Sequence, residues 1–87
     1  MGQIGATIEE MQQLQQKFTS EAATVESLSS SISSQVESTW WVGPAAERFK
    51  EEWRNQFKPM LENLSRSLNE CSAEVGQRAN AIQQAGS

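Results

Sequence analysis

Apolar residues return at every seventh position through the first half of this chain, at Ile4, Met11, Phe18, Val25 and Ile32. Leu14 and Leu28 follow three residues after members of that row, and Ile8, Ala22 and Val36 follow four after. Steps of three, four and seven suit a helix of 3.6 residues per turn and exclude the two-residue alternation of a strand. The register holds through residues 27–34, where six of the eight positions are serine, because Leu28 and Ile32 stay on the row. That segment therefore reads as helix with a small polar face and not as a linker.

Glycine and proline break the interior together at one place, Gly43-Pro44, so the chain divides once, near its middle. Before the break the pattern predicts a helix over about residues 4–38, starting at Ile4 or Thr7, on the order of 50 Å long at ~1.5 Å per residue. After a loop at about 39–43, a second helix is expected over about 44–84. Pro44 suits its first turn, where the missing N–H would have no partner, and Glu47 lies near the positive end of its dipole. Ala45, Phe49, Trp53, Phe57 and Leu61 recur there at four-residue steps, then Leu64, Leu68, Cys71, Val75 and Ile82 at threes and fours. Four-residue steps overshoot the turn by roughly 40° each, so the first stripe winds around the helix before the second takes over. Pro59 falls at the changeover, where it removes a backbone bond and crowds the carbonyl of Asn55, which predicts a bend.

Two long helices and a short loop define an all-α, antiparallel two-helix hairpin, a single domain over 1–87. A chain of 87 residues builds only a thin core. Internal staples are excluded: Cys71 is the only cysteine and histidine is absent, which removes both disulfide and structural zinc. The apolar stripe of the first helix takes three of seven positions, more than one neighbouring helix covers, and this points to a four-helix bundle formed by two hairpins. Its expected core and pairing residues are Ile4, Ile8, Met11, Leu14, Phe18, Val25, Leu28, Ile32, Phe57, Leu61, Leu64, Leu68 and Val75.

The loop carries Trp40 and Trp41, where a turn usually holds small polar residues. Either the indoles plug the open end of the hairpin against Phe49 and Trp53, or one remains exposed as an anchor for a further partner. Spacing leaves both open.

Trp41-Val42-Gly43, followed by Ala45-Ala46, Phe49 and Trp53, resembles the signature of the WXG superfamily, the early-secreted-antigenic-target-like substrates of type VII secretion. The resemblance extends over the whole chain: its length, its two helices, the Trp-x-Gly turn and an N-terminus without a secretory signal pattern. It implies helical hairpins that pair as homo- or heterodimers, and export, independent of a signal peptide, from the cytoplasm through a membrane machine driven by a multidomain ATPase. It also implies that Trp41, Val42 and Gly43, supported by Trp40, Phe49 and Trp53, form half of an export signal. The other half in that family is a C-terminal Tyr-x-x-x-Asp/Glu, and this chain has no tyrosine. By the resemblance, a paralogous partner supplies that tail, which favours a heterodimer over a homodimer.

Catalysis has no foothold in these residues. Cys71 lies on an apolar stripe with no histidine to activate it and reads as a buried, inert thiol. Glu9-Glu10 and Glu51-Glu52 are adjacent helix positions, about 100° apart, and cannot converge on one substrate. Lys50, Arg54 and Lys58 alternate with Glu47, Glu51 and Glu62 in the manner of exposed helix pairs. No cofactor is expected. Net charge is −4, and six of the seven basic residues lie beyond residue 47 without forming a dense stripe, so nucleic acid is excluded as the partner. The function expected is that of a dimeric co-substrate or escort in type VII secretion. Two rivals share the sequence: a membrane-active effector that lays Ile8, Met11, Phe18 and Val25 on lipid, against which its acidic first helix counts, and a hairpin that is never exported.

Overall fold

The structure, a computed structural model, describes residues 6–85. Helix α1 runs Ile8–Ser38, helix α2 Pro44–Glu52, and a π-helical turn at Trp53–Phe57 leads directly into helix α3, Lys58–Ala85. Among the described residues there is no strand. The α2–α3 arm folds back along α1 to make a rod of 64 × 21 × 17 Å. Two long helical arms form the expected hairpin, with α1 beginning at Ile8, and the serine-rich stretch is helical throughout.

Local chemistry explains the ends. Thr7 is extended, and its carbonyl accepts from the Met11 N–H at 3.0 Å, with Glu9 and Glu10 in the positive first turn. At the other end the Gln35 carbonyl accepts from the Thr39 N–H at 3.0 Å and from the Thr39 hydroxyl at 2.6 Å, which stops the ladder. Gly43 then adopts φ 116° and ψ 171°, a region open to glycine and strained for any other residue. Pro44 enters α2 at its first turn, and the Gly43 carbonyl accepts from Glu47 N–H at 3.1 Å.

The π turn resolves the mismatch between the two stripes of the second arm. Trp53 and Ser65 both face α1, where the Trp53 indole N–H donates to Ser33 and the Ser65 hydroxyl reaches the Ala22 carbonyl. They are twelve residues apart, and an uninterrupted α-helix at about 100° per residue would set them roughly 120° apart. Five residues at the wider π pitch, roughly 80° each, remove most of that difference. The backbone N–H of Lys58 donates to the Trp53 carbonyl, one residue further back than in an α-helix. Pro59, with no N–H of its own, follows at once. The interruption predicted at Pro59 is thus a π turn just before it, and the arm continues as helix.

The seam of the hairpin is built of small residues. Ala22 and Ser29 of α1 are buried against Ser65, Ser72 and Ala79 of α3, with Ala46 and Trp53 closing the loop end. Ser65 donates to the Ala22 carbonyl at 3.2 Å and lies 3.0 Å from a Glu26 carboxylate oxygen, while Ser72 donates to the Gln15 carbonyl at 3.1 Å and shares a 2.7 Å bond with Thr19. The Gln15 amide group folds over Gly76, where a Cβ would meet its nitrogen at 2.7 Å. Hydroxyls bonded across the seam let the backbones approach without leaving buried polar atoms unpaired.

Candidate functional site

The large apolar residues lie beside this seam and not in it. On α1, Phe18, Val25 and Ile32 stand three residues on from the row Gln15, Ala22 and Ser29, Met11 lies one heptad before Phe18, and all four are half-buried. Leu14 and Leu28 lie further around and are exposed. On α3, Leu68, Val75 and Ile82 bear the same relation to Ser65, Ser72 and Ala79, with Leu61 one heptad before Leu68 and with Phe57, Leu64 and Cys71 beyond them. Both helices are right-handed and run antiparallel, so equal offsets from the seam turn to the same side of the rod. One long face is therefore apolar. The opposite flank carries Thr19, Glu26 and Ser33, and its open groove of about 730 Å³ is bordered by Glu26, Ser30, Glu62, Arg66 and Asn69.

Two expectations change here. Within the single hairpin Ile8, Met11, Phe18, Val25, Ile32, Leu61, Leu68 and Val75 are half-buried and Leu14, Leu28, Phe57 and Leu64 are exposed, so the hairpin's own interior is built of other residues. That interior uses alanine, serine and Trp53, which apolar periodicity alone does not mark. Cys71 is exposed and not buried, because the row Phe57, Leu64, Cys71 turns outward from the seam. Arg54 does not belong to a ladder of pairs within its own helix: its guanidinium binds Glu37 of α1 through two bonds, 2.8 and 2.9 Å long. That fork holds the Glu37 carboxyl below its ordinary range and raises Arg54 further. Ile4 lies outside the described residues.

At the loop end the apolar face deepens into a pocket of about 190 Å³ lined by Ile32, Val36, Thr39, Trp41, Phe49 and Lys50, with Gln35 at its edge. Trp41 packs on Phe49 with ring centroids 5.7 Å apart and planes tilted by 46°. Trp53 is buried beneath α1 and donates its indole N–H to Ser33 at 3.0 Å. The tryptophans thus divide. Trp53 belongs to the seam, Trp41 is 44% exposed and walls the pocket, and Trp40 is 86% exposed. Of the two alternatives open for the loop indoles, Trp40 follows the exposed one, after an extended Thr39. Val42 is also exposed.

Among the described residues no group of histidine, cysteine and carboxylate side chains could hold a metal, and no helix is long and apolar enough to cross a membrane. What the residues assemble is an outward-facing apolar flank ending in an aromatic turn.

The chain is thus a helical hairpin whose turn is Trp-x-Gly, with its large apolar residues along one outer face. The family model WXG100, proteins of 100 residues with WXG, matches residues 3–87, and the chain belongs to that family of early-secreted-antigenic-target-like type VII secretion substrates. Its members are secreted helical proteins that pair, and they are not known as enzymes. No curated protein and no solved structure matches the chain.

Proposed function

We propose that this protein is exported as one half of a four-helix bundle, with its apolar flank covered by a paralogous hairpin, and that it serves as co-substrate or escort for that partner. The observation that carries the reading is the exposed apolar flank of Leu14, Leu28, Phe57 and Leu64 beside half-buried Phe18, Val25, Leu61 and Leu68. A face along a rod of 64 × 21 × 17 Å has a footprint of order 1,000 Å², above the ~800 Å² per partner of a standard stable interface. A second hairpin matches its length and shape.

In this reading Trp41, Val42 and Gly43 present the turn to the secretion ATPase from the end of the bundle. The tyrosine-bearing half of the signal comes from the paralogue, in keeping with the family pattern and with the absence of tyrosine from these 87 residues. The test is native mass measurement of the purified chain alone and after co-expression with related hairpins, together with detection of both chains in culture supernatant. A sharp monomer at all concentrations, with every related hairpin tried, would sink the pairing. Retention of the pair inside the cell would sink the export.

A further inference from the structure

A charge interrupts the apolar flank. Its outer row on α1 reads Leu14, Glu21, Leu28 at seven-residue steps, and Glu21 is half-buried between the two exposed leucines. The outer row on α3 reads Phe57, Leu64, Cys71, and ends at Arg78, which is held by Glu74 at 3.3 Å. Lys17 bonds Glu21 at 3.2 Å from within the same helix and is the more exposed of the two. The bond from Ser65 to the Ala22 carbonyl fixes the level of Glu21: it and Leu64 each stand one residue before a member of that pair, at the same height along the rod.

That height is a natural symmetry centre. When two copies lie flank to flank with their loops at opposite ends, α1 runs antiparallel to α1 of the second copy, and a two-fold axis passes through one point of each row. Setting Leu14 on Leu28 of the second copy puts that point at Glu21, and setting Phe57 on Cys71 puts it at Leu64. Both points share one level, so a single axis suits both rows: Leu64 then meets Leu64, but Glu21 meets Glu21. Like charges facing each other across an interface oppose association. With the loops at the same end, Glu21 falls instead on Leu64 of the second copy, a covered carboxylate with no cation opposite. Arg78 of that copy is roughly 20 Å further along its helix, and Lys17 of that copy is engaged by its own glutamate.

We propose that Glu21 selects the partner: it opposes pairing of the chain with itself, loops at opposite ends, and favours a related hairpin that presents a lysine or arginine at the middle of its covered face. The inference rests on the pairing proposed above and adds the chemistry of the partner to it. The distribution of charge agrees. Helix α1 holds five glutamates against Lys17 alone, while residues 39–87 hold six acidic and six basic residues, so the net charge of −4 lies on the helix that carries Glu21. A charge placed against the neighbouring helix is a general means by which helical bundles choose partners, through repulsion of the wrong one as well as attraction of the right one.

The experiment measures self-association of wild type and Glu21→Gln by sedimentation equilibrium, and pairing between isotope-labelled wild type and Glu21→Lys by native mass measurement. Thermal melting at low concentration follows the single hairpin of each. Glu21→Gln removes the charge and keeps the shape, and is expected to self-associate at least tenfold more tightly than wild type with the hairpin's melting temperature little changed. An equimolar mixture of wild type and Glu21→Lys is expected to form the mixed pair in excess of random exchange. Equal self-association of wild type and Glu21→Gln would overturn the inference, as would random exchange in the mixture. So would a related hairpin that pairs with the wild type and has no lysine or arginine at the middle of its covered face. Each of these leaves the pairing itself standing, whereas failure of the wild type to associate with any related hairpin would overturn the pairing and the inference together.

Discussion

Leu64 and Ser65 are neighbours in sequence with opposite surroundings, and this contrast tests the division between seam and flank. Leu64 is 46% exposed on the apolar face, and Ser65 is 2% exposed in the seam. Complete burial of a leucine is worth about 1.5–3 kcal/mol, so a covering hairpin recovers about 1 kcal/mol at Leu64. Leu64→Asp forfeits that gain and places an unpaired carboxylate in the covered face, at a further cost of about 3 kcal/mol or more. The sum, about 4 kcal/mol, weakens association on the order of a thousandfold. Within a lone hairpin the same change leaves the side chain facing water and should alter unfolding by less than about 0.5 kcal/mol. Ser65→Leu should do the reverse: overpacking against Ala22 and loss of the hydroxyl's bonds cost the hairpin about 1–3 kcal/mol. Sedimentation equilibrium reads the association and thermal melting at low concentration reads the hairpin. An unchanged dissociation constant in Leu64→Asp, or an unchanged melting temperature in Ser65→Leu, would refute the assignment.

Three further outcomes are expected. Pro59→Ala should change stability by less than about 1 kcal/mol and leave the Trp53 indole N–H protected from exchange, because the need for Trp53 and Ser65 to face α1 together holds the π turn; loss of protection would show that Pro59 itself imposes the turn. Gly43→Ala should cost about 1–2 kcal/mol, since φ 116° is strained for alanine even with nothing within 4 Å of the added Cβ, and an unaltered melting temperature would contradict this. The Glu37–Arg54 fork lowers the folded pKa of Glu37, so its contribution is complete above the ordinary carboxylate value of 4.5 and fades as pH falls through the lower folded value. The melting difference between wild type and Glu37→Gln should therefore be greatest near neutrality and shrink in acid; a constant difference would refute the linkage.

The heptad row from Met11 to Ile32, the single break at Gly43-Pro44 and the apolar repeat from Leu61 to Val75 determine two long helices and one turn before any tertiary contact is considered. This legibility follows from local physics: side-chain period, proline's missing donor and glycine's freedom act within a few residues. The Trp41-x-Gly43 turn was equally legible, because it consists of neighbours in sequence. What the tertiary structure decided is which helical row faces inward. Several rows of α1 could meet α3, and bonding of Ser65 and Ser72 to the Ala22 and Gln15 carbonyls selects the small one and leaves Phe18, Leu28 and Leu64 outside. The partition of the tryptophans was decided in the same way. Trp53 is buried because a π turn rotates it onto α1, Trp41 is held by Phe49, and Trp40 is left outward by an extended Thr39. Each outcome depends on groups distant in sequence or on a backbone rotation that composition does not encode.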